Sequence, residues 1–558
     1  MMQTFKNKTV YQIYPKSFFD TTGNGIGDIQ GIKAKLPYLQ TLGVDILWLT
    51  PIYVSPQRDN GYDIADYKQI DPLFGTMADF EALLNDVNAR GMQLIMDMVV
   101  NHTSTDHAWF QDALAKGPES PYYDFYIWRD SVNGAAPTNW QSKFGGSAWE
   151  YVPHLQQYYL HLFDVTQADL NWENPKLRAA IYEMMRFWME KGIAGFRLDV
   201  VNLLSKDQAF PNDTLATPMA DGRKFYTDGP RIHEHLQEMH TEVFAHYPDA
   251  FTVGEMSSTT IEHCQRYTNP DNHELLMTFN FHHLKVDYPN GEKWAIAPFD
   301  FQQLKKLFYD WQLGMQAGNG WNALFWCNHD QPRAISRFGD DQKYPYESAT
   351  MLALAIHGMQ GTPYIYQGEE LGMTNAYYTS IDQYRDVEAL NAYQNLQQKG
   401  YTSEEALAIL QVKSRDNSRT PMQWNTTKNA GFTSGTPWIP VIANYETINA
   451  ETVLQQPQSI FSFYQQLLQL RKQSQAISEG SFQAVVADHP TVYGYIRATP
   501  TEKLVVLCNF YGQESDVILP DFEIGEVIVN NYVEFEHTRQ ACKLQPYQAV
   551  LIRVNEAV

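Results

Sequence analysis

Short, almost continuously apolar runs recur along this chain, and helical periods separate them. Ile46–Leu49 (ILWL) follows a segment with Ile32, Leu36, Leu39 and Leu42 at helical spacing. Phe80, Leu83, Leu84 and Val87 share one helix face ahead of residues 93–100 (QLIMDMVV). Leu177, Ile181, Met184, Met185 and Trp188 precede 195–200 (GFRLDV), and Leu236, Met239 and Val243 precede 251–253. Residues 323–326 and 363–366 read as two later strands. Strands apolar on both faces that alternate with helices belong in a parallel sheet covered on both sides. An open sheet and a closed barrel both satisfy that pattern, so the polar residues decide. Asp97, Asp199, Glu255 and Asp330 each stand at or just beyond the C-terminal end of an expected strand. A (β/α)8 barrel gathers those ends on one face, and the expected fold is an α/β protein built on a (β/α)8 TIM barrel.

The stretch from 103 to 172 interrupts the rhythm with Trp109, Trp128, Trp140 and Trp149 among many glycines. It reads as a small domain inserted after strand 3. A second insertion follows Tyr366 and runs to about residue 425. After an amphipathic helix with Ile460, Phe463, Tyr464, Leu467 and Leu468, short alternating runs such as VYGYIRA and KLVVLCNF mark an antiparallel β-sandwich domain. The expected division is a barrel over 1–102 and 173–477, an inserted domain over 103–172 and a C-terminal β domain over 478–558.

Net charge is −23, which argues against general affinity for nucleic acid or acidic membrane surfaces. An anionic substrate would need local positive contacts set against that field. No apolar run approaches the ~18 residues that span a membrane, and the N-terminal stretch lacks the pattern of a secretory leader. The four cysteines (Cys264, Cys327, Cys508, Cys542) show no paired spacing and read as reduced core thiols. A cytoplasmic monomer with no membrane or nucleic-acid partner is expected.

Taken as chemistry alone, several carboxylates at strand ends suit glycosidic cleavage, which needs a carboxylate and a carboxylic acid in one pocket. Arg197, two residues before Asp199 on the same strand face, can hold that carboxylate ionised. His102 and His329 are donors suited to sugar hydroxyls.

These segments are also familiar. DMVVNH (97–102), GFRLDVV (195–201), VGEM (253–256) and CNHDQ (327–331) resemble the four signature regions of the α-amylase superfamily, glycoside hydrolase family 13. QADLN (167–171) resembles its fifth region, and NGYDIADY (60–67) its substrate-binding loop. The resemblance implies that Asp199 is the nucleophile, Glu255 the general acid/base and Asp330 the third carboxylate. Retention through a covalent glucosyl-aspartate follows, with the first two carboxyl groups about 5–5.5 Å apart. It also implies that Tyr62 is a stacking platform, that Phe144 lines the same subsite, and that His102, Arg197 and His329 bind hydroxyls or carboxylates. Asp63 and Arg415 resemble the ion pair that closes the glucose pocket of exo-acting members. Val200, directly after the nucleophile, is similar to the residue found in α-1,6-acting members.

Residues 279–294, 223–231 and 254–267 closely resemble the branch that splits the α,α-1,1 bond of trehalose 6-phosphate into glucose and glucose 6-phosphate. A phosphate on the leaving sugar needs cations and donors outside the first glucose pocket. His282, His283, Lys285 and Lys293 fall within one short segment, and the expectation is that Lys285 and Lys293 are among those that hold the phosphate. The competing reading is a neutral α-1,6-glucosidase with the same machinery. No cofactor is expected for the chemistry. DTTGNGIGD (20–28) resembles the subgroup's calcium loop, with Asp20, Thr22, Asn24, the Ile26 carbonyl and Asp28 as ligands of a structural Ca2+. HEHLQEMH (233–240) has the wrong spacing for a zinc helix, since Gln237 stands where a second histidine belongs; it reads as a polar helix face.

Overall fold

The computed structural model describes residues 5–214 and 220–556. Eight short strands make the central sheet: β1 (Val10–Ile13), β2 (Ile46–Leu49), β3 (Gln93–Met98), β4 (Gly195–Leu198), β5 (Phe251–Glu255), β6 (Met277–Phe279), β7 (Ala323–Leu324) and β8 (Thr362–Tyr366). They hydrogen-bond in the order β6-β5-β4-β3-β2-β1-β8-β7, which is cyclic sequence order, the order of a (β/α)8 barrel. The registers of β1 with β8, of β4 with β3 and β5, of β5 with β6 and of β7 with β8 are all parallel. Two strands, β1 and β6, are absent from the sequence expectation. In VYQI a glutamine interrupts the apolar run, and MTF is only three residues long. The helix expected through Ile32–Leu42 is in fact two, Ile29–Ala34 and Leu36–Leu42, because Pro37 cannot continue the first.

The chain divides into two compact units. One comprises Met1–Leu47, Asp86–Met92 and His282–Val558; the other comprises Trp48–Asn85 and Gln93–Phe281.

In the second unit, residues 103–172 carry the helix Ala108–Lys116 and an antiparallel sheet of Trp128–Asp130, Gln157–Leu160 and Trp149–Val152. Their apolar side chains Ile127, Trp140, Trp149 and Leu160 pack in one cluster with Val200, Leu203 and Phe210. The inserted segment therefore buries the turn that follows β4. In the first unit, Val387–Gln398 and Ser403–Lys413 pack around Tyr378, Leu396 and Ile409. From Ser481 onward the chain forms a five-stranded and a three-stranded antiparallel sheet, with Val492, Val505, Leu544 and Val550 in a shared core. All four cysteines are free and buried. Among the described residues, no helix is long and apolar enough to cross a membrane.

Candidate active site

In the second unit, Arg197 organises three carboxylates. Pairing of β4 with β3 sets Arg197 level with Asp97, and pairing with β5 sets it level with Val253, two residues before Glu255. Arg197 is 1% exposed. Its Nη1 donates to Asp97 Oδ1 at 2.7 Å and to Asp199 Oδ1 at 2.5 Å, and its Nη2 lies 2.7 Å from Glu255 Oε2. One guanidinium fork cannot neutralise three buried carboxylates, so protons must make up the difference. Burial pushes Asp97 and Asp199 up to about 6 against the pull of Arg197. A hydrogen bond from Glu255 reaches Asp199.

The turn after β4 brings a second donor to Glu255. Val200 adopts φ 36°, ψ 40°, a left-handed conformation that a β-branched residue rarely enters. The turn aims the Val200 N–H at Glu255 Oε2, 3.1 Å away. Glu255 Oε2 thus meets both the Arg197 guanidinium and the Val200 N–H. The clustering of Val200 with Trp140, Trp149 and Leu203 holds the strained turn in place.

Tyr62 donates its hydroxyl to Asp97 Oδ2 at 2.9 Å, and its ring lies 5.8 Å from the Arg197 guanidinium. Asp63 is fully buried and accepts from Ser55 Oγ and from the Arg58 and Asp59 amides. His102 is neutral, since burial lowers it to about 4. Its Nδ1 lies 3.2 Å from the Asn101 amide and its Nε2 3.1 Å from the Tyr62 carbonyl, so the ring braces the Tyr62 loop. Phe144 meets Phe163 edge-on at 5.7 Å, and Phe163 lies 5.1 Å from His102. Phe163 and Gln167, whose amide spans His102 and Asp59, are not singled out by the sequence. Their only sign there is Gln167's place in the QADLN motif.

In the first unit, His329 and Asp330 follow β7. Asp330 Oδ1 receives Arg419 Nη2 at 2.7 Å and Arg415 Nη1 at 3.2 Å. Asp386 receives Arg415 through Nη2 at 2.5 Å and Nε at 3.0 Å. Burial would raise Asp386, but Arg415 and Arg419 outweigh it and hold the carboxyl below its usual range. Arg419 and Asp386 are two further charged partners that the motifs leave unmarked, although Arg419 lies four residues beyond Arg415 in the same SRDNSRT run.

The basic segment separates by environment. Lys293 pairs with Glu388 at 2.7 Å and lies 5.0 Å from the Trp294 ring. Lys285 is exposed, and the His282 ring lies tilted 5.1 Å from that of Trp311. His283 is buried: its Nε2 meets the Phe325 carbonyl at 2.8 Å and burial lowers it to about 3. A buried neutral ring bonded to backbone cannot contribute charge to a phosphate.

The 20–28 loop closes on its own donors. Asp20 accepts from the amides of Thr22, Gly23 and Gly25 and from the Thr433 hydroxyl. Asp28 accepts from Thr21 and caps the helix Ile29–Ala34 through the Gly31 amide. Asn24 Oδ1 accepts from the Ile26 amide. These oxygens accept from backbone N–H and threonine hydroxyl groups. Among the described residues no group of three or more His, Cys, Asp or Glu side chains is placed to hold a metal. The HEHLQEMH helix (Ile232–Glu242) differs from a polar face, for His233 and His235 are buried and His233 Nδ1 pairs with Glu274 at 2.9 Å.

Residues 12–480 match the family described as alpha amylase, catalytic domain. The chain is 60% identical to the trehalose-6-phosphate hydrolase of Bacillus subtilis, over 99% of this chain and 98% of that protein. It is 50% identical to the oligo-1,6-glucosidase of Halalkalibacterium halodurans, over 99% of this chain and 100% of that one. A crystal structure of Bacillus licheniformis trehalose-6-phosphate hydrolase superposes with a TM-score of 0.94 at 58% identity, covering 99% of each chain. With Asp97, Asp199 and Glu255 at their strand ends and a family match over residues 12–480, the chain belongs to the α-amylase family of glycoside hydrolases.

Proposed function

We propose that this protein is a retaining α-glucosidase that hydrolyses trehalose 6-phosphate to glucose and glucose 6-phosphate. The observation that carries the chemistry is the gathering of Asp199, Glu255 and Asp97 on one buried guanidinium, that of Arg197. Asp199 attacks the anomeric carbon while Glu255 protonates the departing oxygen, giving a glucosyl-aspartate and free glucose 6-phosphate. Glu255, now a carboxylate, takes a proton from water, which releases glucose and restores the acid. Asp330, held by Arg415 and Arg419, is the third carboxylate and binds sugar hydroxyls together with His329. Tyr62 and Phe144, with Phe163 behind it, supply apolar ring faces for the sugar.

Full-length identity to two trehalose-6-phosphate hydrolases supports the phosphorylated substrate. Lys285 and Lys293 are the groups proposed to bring charge to the phosphate; burial keeps both His282 and His283 neutral, so those rings could serve only as uncharged donors. A sugar phosphate substrate also fits a cytoplasmic monomer with reduced thiols. The barrel spans 1–102 and 173–477 in this reading, with 103–172 as the inserted domain and 478–558 as the C-terminal domain.

The test is kcat/KM on trehalose 6-phosphate, trehalose and isomaltose, with Asp199→Asn as the blank. Loss of the phosphate should lower kcat/KM by at least about a hundredfold, because its cationic partners are left unpaired. Equal or better turnover of isomaltose would instead make the protein an oligo-1,6-glucosidase, like the Halalkalibacterium halodurans relative.

A further inference from the structure

Gln12 lies in β1, 1% exposed, and the nitrogen of its side-chain amide stands 2.8 Å from Nδ1 of His329. An amide N–H only donates, so Nδ1 accepts and is bare. The single proton of a neutral imidazole then sits on Nε2. Other contacts fix the ring plane. Tyr14 stacks against it at 6.1 Å and 14°, Arg419 Nε donates to the His329 carbonyl at 2.8 Å, and Nε2 lies 3.4 Å from Asp330 Oδ2. Gln12 is itself fixed in the sheet, where its carbonyl accepts from the Gln367 amide and it pairs with Tyr366 of β8.

We propose that Gln12 is a positioning residue that locks His329 in the Nε2–H tautomer, so that this edge of the ring always presents a donor to a sugar hydroxyl oxygen. The proposal rests on the reading of His329 as a sugar-contacting residue. Without the Gln12 amide, the proton could move to Nδ1, and Nε2 would then meet both the hydroxyl oxygen and Asp330 as a lone pair. That arrangement costs a hydrogen bond and adds a repulsion.

The experiment is long-range 1H–15N correlation on enzyme labelled with 15N-histidine, without substrate. The signal missing from His329→Asn identifies the ring. The expected wild-type spectrum has a bare Nδ1 and a protonated Nε2 at His329. In Gln12→Leu the two nitrogen shifts should move toward each other as both tautomers populate, and kcat/KM should fall about tenfold, chiefly in kcat. Gln12→Glu, an acceptor at the same place, should draw the proton to Nδ1. A protonated Nδ1 in the wild type, or His329 shifts unchanged in Gln12→Leu and Gln12→Glu, overturns the proposal. Where Gln12→Leu fails to fold, the wild-type spectrum and Gln12→Glu still decide it. The spectra do not depend on which glucoside is cleaved, so a preference for isomaltose would sink the substrate reading and leave this one intact. Full turnover by His329→Asn would sink the sugar contact alone.

Discussion

Arg197 faces three carboxylates within hydrogen-bonding distance and is nearly inaccessible to water. Removing its charge leaves those carboxylates buried and uncompensated, so Arg197→Gln should destabilise the fold by about 3–5 kcal/mol, read as a lowered denaturant midpoint. A mutant that unfolds at the wild-type midpoint would show that protons already neutralise the cluster. The same cluster sets the acid limb of the pH profile. Asp199 must be ionised to attack, and burial raises it to about 6. The value of kcat/KM should therefore fall as pH drops below about 6, rather than near the ordinary aspartate value of about 4. A profile flat down to pH 5 would mean that Arg197 wins over burial. Asp199→Asn should lose at least about a thousandfold in kcat, since no other carboxylate can form the covalent intermediate.

At the scale of the element, β4 shows how closely the sheet fits. Gly195 begins the strand at φ 153°, and a Cβ there would lie 1.9 Å from the Phe251 carbonyl oxygen of β5. Gly195→Ala must separate β4 from β5, the two strands that carry Arg197 and Glu255. The expected result is a loss of several kcal/mol of stability, with activity falling alongside the folded fraction. Unchanged thermal unfolding would mean that the strands part at no cost. The glycine that opens GFRLDVV is thus a packing requirement, which the sequence motif does not distinguish from a catalytic one. What could be read in the sequence follows the same line. Asp97, Asp199, Glu255 and Asp330 are legible because strand ends are local features marked by apolar runs. β1 is not, since Gln12 breaks its pattern, and the partner that explains Gln12, His329, lies 317 residues away. Arg419 and Phe163 are silent for the same reason, their partners being fixed by folding rather than by spacing. His283 misleads, because residue type suggests charge while only the fold reveals its burial.

Across the whole molecule, the acidic balance is met by placing cations deep inside. Arg197, Arg337, Lys413, Arg415 and Arg419 are all buried against carboxylates. Glu369 is placed differently. Glu369 follows β8 and is enclosed with Trp326, Tyr464 and Met373 around a cavity of about 20 Å3. Its Oε1 has no hydrogen-bond partner, and burial raises the group to about 8. The neighbouring Glu370 takes the hydroxyls of Tyr11 and Tyr38. The folded-state value of Glu369 lies above the unfolded value of about 4.5, so the folded form holds the proton more tightly. Its stabilising contribution is complete below pH ~4.5 and is lost as pH rises through about 8. Thermal melts of the wild type and of Glu369→Gln should therefore diverge with pH. The amide keeps the shape of the neutral acid and cannot ionise. Between pH 5 and 8 the wild-type Tm should fall by about 3 °C more than that of Glu369→Gln. Parallel curves over that range would mean that Glu369 is ionised in the folded protein at neutral pH, its charge offset by Arg333 and the Tyr366 amide.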